Sequence, residues 1–285
     1  MKFFCIFIRT MKTNANSNRR FVMLTIYKHE MRTSIKSLLI WSLCVGGMGM
    51  ACILLFSSMQ ESMEGMAENF ASMGAFSDAF GMNQLNIGTL QGFYAAEVGN
   101  IHALGGAMFA AIISTNMLSK EEDGHTSEFL FTLSLQRGKV VLAKWAAVFS
   151  HVALMNLICI AFYAIGIAVL AEEMPLKEFF IYHGMQLLMQ LEIAGICFAI
   201  SAFQRKNKLG LGLGLVLVLY AYDLIARVIP DLSDYKLASP FSYANASDLF
   251  QTGEVFAGAA VLGAGILILG VCTAYIVYVR KDLAS

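Results

Sequence analysis

The chain has 285 residues, of which 58% are hydrophobic and only 14% charged. Soluble domains average about 25% charged residues, so this composition excludes an ordinary water-soluble fold and indicates several membrane crossings. Twenty basic residues cancel twenty acidic ones, so the net charge of zero says little and the placement of the two signs says more. Nucleic acid is not an expected partner.

Residues 1–22 read as a basic N-terminal extension. The apolar run at 3–8 is too short for a signal peptide, and Arg9 follows it at once. Met23 offers a second start, and residues 23–285 read as a single transmembrane domain. Over 25–36, Ile26, Met31 and Ile35 alternate with Lys28, Arg32 and Lys36. That pattern predicts a basic amphipathic helix lying along the inner membrane surface.

Six apolar segments are each long enough to cross about 30 Å of hydrocarbon as a helix. They cover 38–58, 99–118, 141–171, 179–203, 209–229 and 255–279, the fifth being stopped by Pro230. The expected fold is therefore an all-α integral membrane protein with six transmembrane helices. Lysine and arginine give the orientation: eight lie in residues 1–37, four in 119–144, three in 204–208 and two in the tail. The loops on the other side carry only Lys177, Arg227 and Lys236. The positive-inside rule then assigns both termini and the 119–144 loop to the cytoplasm of a plasma membrane, with a bacterial cell the expected setting.

After the first span, Met59, Met63, Met66, Phe70 and Met73 recur at spacings of four and three, which predicts that the helix continues outward. No histidine or cysteine joins these methionines in the outer loop, so they read as flexible packing residues and not as a soft-metal site. Six cysteines lie singly without a CxxC pair, which supports neither zinc nor a disulfide framework.

The loop between the second and third spans has an order of its own. Glu121, Glu122 and Asp123 end the preceding run, and Gly124 is expected to stop it, since glycine tolerates positive φ. Thr126 can cap a short new helix with Glu128 near its N-terminal end. Phe129, Leu130 and Leu133 then recur at helical spacing before Arg137, Lys139 and Lys144 restore positive charge. A capped amphipathic helix of this length cannot span a membrane, and its apolar residues call for a protein partner.

Catalytic motifs are missing from the sequence. Gly138 and Lys139 are followed by Val140, not by the serine or threonine of a phosphate loop, and the five histidines have no HExxH spacing. Intramembrane polar residues remain as candidates, because burying them is costly unless they are paired or useful. Glu192 lies midway along the fourth span and reads either as a carboxylate on a translocation path or seam, or as a structural group bonded to Asn156 or His151. Asp223 and Arg227, at i and i+4 in the fifth span, are expected to pair. Small residues such as Gly105, Gly106, Gly210, Gly214, Gly263 and Gly265 suggest close helix packing.

Taken in order, the basic surface helix, six spans and capped helix after the second span resemble the permease subunits of type-two, exporter-like ABC transporters. Glu121, Glu122, Gly124, Thr126, Glu128, Phe129, Leu130, Leu133 and Arg137, with Lys144 at the start of the third span, carry the match. They are similar to the family's first intracellular loop, whose coupling helix docks into a separate ATPase. The family commonly has a proline shortly before this arginine; Ser134 and Leu135 stand there instead. The resemblance implies a separate ABC ATPase subunit that holds ATP and magnesium, no cofactor or enzymatic activity in this chain, and a second permease chain, identical or related, embedded in lipid. Two other classes stay open: a secondary transporter with Glu192 as a proton or ion site, and an intramembrane enzyme pairing Glu192 with His151 or His183.

Overall fold

The computed structural model describes residues 2–71, 74–80, 85–124 and 136–281. Every regular element among them is helical. Six helices are long and apolar enough to cross a membrane, over Met23–Gln60, Leu90–Thr115, Arg137–Leu170, Leu176–Phe203, Leu209–Val228 and Ala257–Arg280.

The first span is part of α1 (Lys2–Ala71), a helix of 70 residues, whose backbone runs on past the apolar stretch to Ala71. Residues 25–36 belong to the same helix and join the span without a break. The sequence contains no glycine or proline near that joint, so nothing interrupts the backbone hydrogen bonds there. After α2 (Ala75–Phe80), the second span is built from α3 (Leu90–Phe93), a wider π-helical turn at Tyr94–Val98, and α4 (Gly99–Thr115). It begins nine residues earlier than the hydropathy pattern suggests. Thr89 caps it by accepting from Gly92 N, and Glu97 is accommodated because its side chain stays exposed.

A one-turn helix α5 (Lys120–Asp123) follows the turn at 116–119. Gly124 ends it with φ −87° and not in the left-handed region that its glycine invited. The remaining spans are α6 (Arg137–Leu170), α7 (Leu176–Phe203), α8 (Leu209–Val228) and α11 (Ala257–Arg280). Ala171 closes α6 in the left-handed conformation at φ 54°.

Between α8 and α11 the chain does not form an open loop. A 3₁₀ segment at Pro230–Ala238 leads to α9 (Pro240–Tyr243), capped by Ser239, and α10 (Ala246–Thr252), capped by Asn245. Phe241, Ala244, Leu249 and Phe250 are buried, and the segment is bonded into the bundle by Gln91 Nε2 to Phe250 O (2.9 Å), Ser239 Oγ to Leu219 O (2.8 Å) and Gln186 Nε2 to Ala244 O (2.7 Å).

The second and fourth helices are the most buried and form the centre of the bundle, while α8 and α11 are the most exposed. Small residues allow this arrangement. Gly195 of α7 and Gly270 of α11 meet backbone to backbone, so that a Cβ on Gly270 would lie 2.7 Å from the Gly195 carbonyl. Gly105 and Gly106 instead make room for the side chains of Val45 and Gln190, and Gly212 of α8 for that of Thr115, whereas a Cβ on Gly210, Gly214 or Gly265 would meet nothing within 4 Å.

Candidate functional site

Two polar regions stand out in an otherwise apolar bundle, one at the lysine-rich end and one in the interior. The first is organised by α5. Lys120 is paired with Glu30 of α1, which is almost wholly buried, and Glu30 Oε1 also lies 3.2 Å from Lys144 Nζ of α6. Lys144 pairs in turn with Glu121 and donates to Met117 O at 2.7 Å. Glu122, buried like Glu30, lies 2.7 Å from Lys281 Nζ at the end of α11. Lys281 also donates to Gln204 O at the end of α7, and Arg137 donates to the carbonyl of Lys281. The buried ions Glu30, Lys144 and Glu122 persist only when their charges are matched, and they are matched here: Lys120 and Lys144 face Glu30 and Glu121, and Lys281 faces Glu122.

The proposed coupling residues therefore divide into two sets. Glu121, Glu122, Gly124 and Arg137 lie at this junction. Thr126, Glu128, Phe129, Leu130 and Leu133 lie outside the described residues.

The second region contains the intramembrane candidates. Glu192 is not bonded to Asn156 or His151. Its Oε2 accepts from the Tyr243 hydroxyl at 2.6 Å, a partner brought in by α9. Burial and the adjacent carboxylate both push the Tyr243 hydroxyl up from its ordinary range, which keeps it a donor. The pair fits because Gly263 of α11 leaves room: a Cβ there would fall 2.7 Å from the tyrosine oxygen and 2.8 Å from Glu192 Oε2.

Asn156 belongs to a different network, which also resolves its tautomers. Its Nδ2 donates to Gln190 Oε1 (2.7 Å) and Val152 O (2.9 Å), leaving Oδ1 to accept from His102 Nε2 at 3.1 Å. His102 Nδ1 must then accept, and Tyr163 donates to it at 3.2 Å. His183 stacks against the same group, 5.0 Å from the His102 ring, with its Nε2 2.9 Å from the Tyr94 hydroxyl. The His102, His183 and Tyr163 partners were missed by sequence reasoning. One signal was present: His183, Gln186 and Gln190 share one face of the fourth helix, a polar stripe that only a polar neighbour can satisfy. His151 stays apart, with Nδ1 2.8 Å from Ala147 O.

Asp223 and Arg227 form a two-point pair, Nε to Oδ2 at 3.0 Å and Nη2 to Oδ1 at 3.3 Å, with Asp248 of α10 3.7 Å from the guanidinium. Beside them a small cleft is lined by Asn100, Gln186, Tyr220 and Asp223. None of these groups has a nucleophile–base geometry, and the polar contacts hold helices and the 230–253 segment together.

A six-helix bundle with apolar flanks, a hydrogen-bonded interior and a charged junction at one end defines an integral membrane protein. The chain belongs to the ABC-2 family of transporter proteins, whose sequence profile matches residues 24–283, and it is accordingly a permease of the ABC transporter class. No match is found among curated proteins.

Proposed function

We propose that this permease is the membrane subunit of an ATP-driven exporter, acting as a pair of chains above two copies of a separate ATPase. The observation that carries the reading is the junction at the lysine-rich end: α5 leads directly into residues 125–135 and is held by ion pairs to α1, α6 and α11. The positive-inside distribution supports placing that end in the cytoplasm, where ATP is available, and the setting we propose is a bacterial plasma membrane.

In this reading residues 126–134 form the docking helix. Phe129, Leu130 and Leu133 enter the ATPase surface, and Glu128 orients more than it binds, since rim charges contribute modestly. The partner holds ATP and magnesium. Its closure pushes the docking helix, and the paired bundles switch between an inward-open and an outward-open state, a coupling that works reciprocally between nucleotide and cargo. Glu192, bonded to Tyr243 and enclosed by Gly263, serves architecture and does not carry a proton.

The test is copurification from native membranes with an ATPase that carries a phosphate loop. Truncating a buried aromatic anchor costs about 2 kcal/mol or more, roughly 30-fold in affinity. Phe129→Ala is expected to insert normally and to lose the ATPase on that scale. If the variant permease is instead destabilised alone and still binds the ATPase normally, the docking assignment fails.

A further inference from the structure

Three consecutive residues of α5 each hold a different helix. Lys120 pairs with Glu30 of α1, Glu121 with Lys144 of α6, and Glu122 with Lys281 at the end of α11. Successive residues of a helix point about 100° apart, so one turn is enough to face three neighbours. The partners come from positions 30, 144 and 281, and each carries the charge opposite to its counterpart in α5. Such pairs are poor devices for stability alone, because well-packed apolar residues in their place are commonly as stable or more so. They do fix one geometry strongly, since losing one partner leaves a buried ion uncompensated.

The fifth span is held differently. Its start joins the same region through a neutral hydrogen bond, Lys208 N to Asn116 Oδ1 at 3.2 Å. Among the described residues α8 makes no ion pair with α5, whereas α11, which is even less buried than α8, is tied to α5 through Lys281.

We propose that Lys120, Glu121 and Glu122, with Glu30, Lys144 and Lys281, form a three-way clamp that makes α1, α6 and α11 move as one unit with α5, while α8 shifts against them. The proposal rests on the docking reading above and assigns positioning roles to Glu30 and Lys281, two residues remote in sequence from the docking loop. Besides the hydrogen bond that its carbonyl accepts from Arg137, Lys281 gives the last span, remote in sequence from that loop, an ion pair to α5.

The experiment uses the permease reconstituted with its ATPase, in a cysteine-free background carrying spin labels at Glu254, just before α11, and at Tyr235, just after α8. Both positions are exposed. Distances are measured without nucleotide and with ATP trapped by vanadate. The unaltered complex should show an ATP-driven change in the separation. Lys281→Arg should keep it. The double variant Glu122→Gln with Lys281→Met removes both charges, so it should match the unaltered protein in thermal stability yet, with ATPase added to saturation and its occupancy measured, lose more than half of the change.

A full change in the double variant overturns the clamp, as does a loss that appears only together with a fallen melting temperature. No change in the unaltered complex, with ATPase bound and hydrolysing, also overturns the clamp but leaves the docking reading standing. Failure of the ATPase to bind the unaltered chain defeats the docking reading itself.

Discussion

Tyr243 donates to Glu192 Oε2 at 2.6 Å, joining a short helix between the fifth and sixth spans to the middle of the fourth. The two residues are 51 apart in the chain, and Gly263 of a third helix makes the space for them. This one bond gives the buried carboxylate a partner within the chain. It also ties the 230–253 segment into the bundle.

Removing the donor should therefore cost more than altering the acceptor conservatively. Tyr243→Phe leaves a buried carboxylate oxygen unsatisfied, a loss of about 1–3 kcal/mol. Glu192→Gln keeps an acceptor for Tyr243 and should be nearly silent, whereas Glu192→Leu strands the tyrosine hydroxyl. Thermal unfolding in detergent should rank the melting temperatures as unaltered and Glu192→Gln highest, then Glu192→Leu and Tyr243→Phe. A Glu192→Gln variant that is stable yet inactive in ATP-coupled transport would reopen a functional role for the carboxylate.

Gly106 offers a packing test. A Cβ at this position would lie 2.2 Å from Gln190 Nε2, and Gln190 is fixed by its bond to Asn156. Overpacking of this kind costs about 1–3 kcal/mol. Gly106→Ala should lower stability by that amount, and adding Gln190→Ala should recover part of it, a non-additivity expected of residues in contact. Strict additivity in the double variant would show that the two positions do not touch.

The Asp223–Arg227 pair is nearly buried, with side-chain exposures of 5% and 11%. Arg227→Met leaves Asp223 without its closest cation and is expected to destabilise by about 3–5 kcal/mol, the usual result of breaking a buried pair. Asp223→Asn combined with Arg227→Met removes both charges and should recover most of that loss. Chemical denaturation of the three proteins measures the difference, and an unrecovered double variant would show that Arg227 acts mainly through Asp248.

Orientation can be read by cysteine labelling of intact cells. Loop position alone is a poor guide to the choice of site, because Ser77 and Ser242 lie between spans, on the lysine-poor side, yet are buried. Glu173 and Tyr235 are exposed at one end of the bundle and Lys206 at the other. An impermeant maleimide should modify cysteines at 173 and 235 and leave 206 untouched until the membrane is opened. Labelling at 206 from outside would invert the proposed topology.

Ala171 is the non-glycine residue with positive φ among those described, at 54°. Left-handed backbone costs an L-residue roughly 1–2 kcal/mol, a penalty glycine escapes. Ala171→Gly should raise stability by up to about 1 kcal/mol, and a fall in melting temperature would mean that the methyl group packs usefully at the end of α6.

What the sequence determined by itself is whatever repeats locally or is counted along the chain. Runs of apolar residues specify six spans, since a backbone in lipid must bond within its own helix. Segregated lysines and arginines mark one end of the bundle, and Pro230 stops the fifth span where its ring excludes a continuing helix. Asp223 and Arg227 sit one turn apart, so their approach needed no fold to be foreseen.

The tertiary structure alone decided which distant polar groups meet. Nothing in the spacing of Glu30, Lys144 and Lys281 points to three successive residues of α5, because those contacts depend on how α1, α6 and the end of α11 pack around α5. Tyr243 reaches Glu192, and His102 reaches Asn156 and Tyr163, only because small residues let the second, fourth and sixth helices close on their neighbours. Helical periodicity states which face of a helix is polar. Pairing across the bundle is settled by how the helices pack, since a buried donor must take whichever acceptor that packing brings within reach.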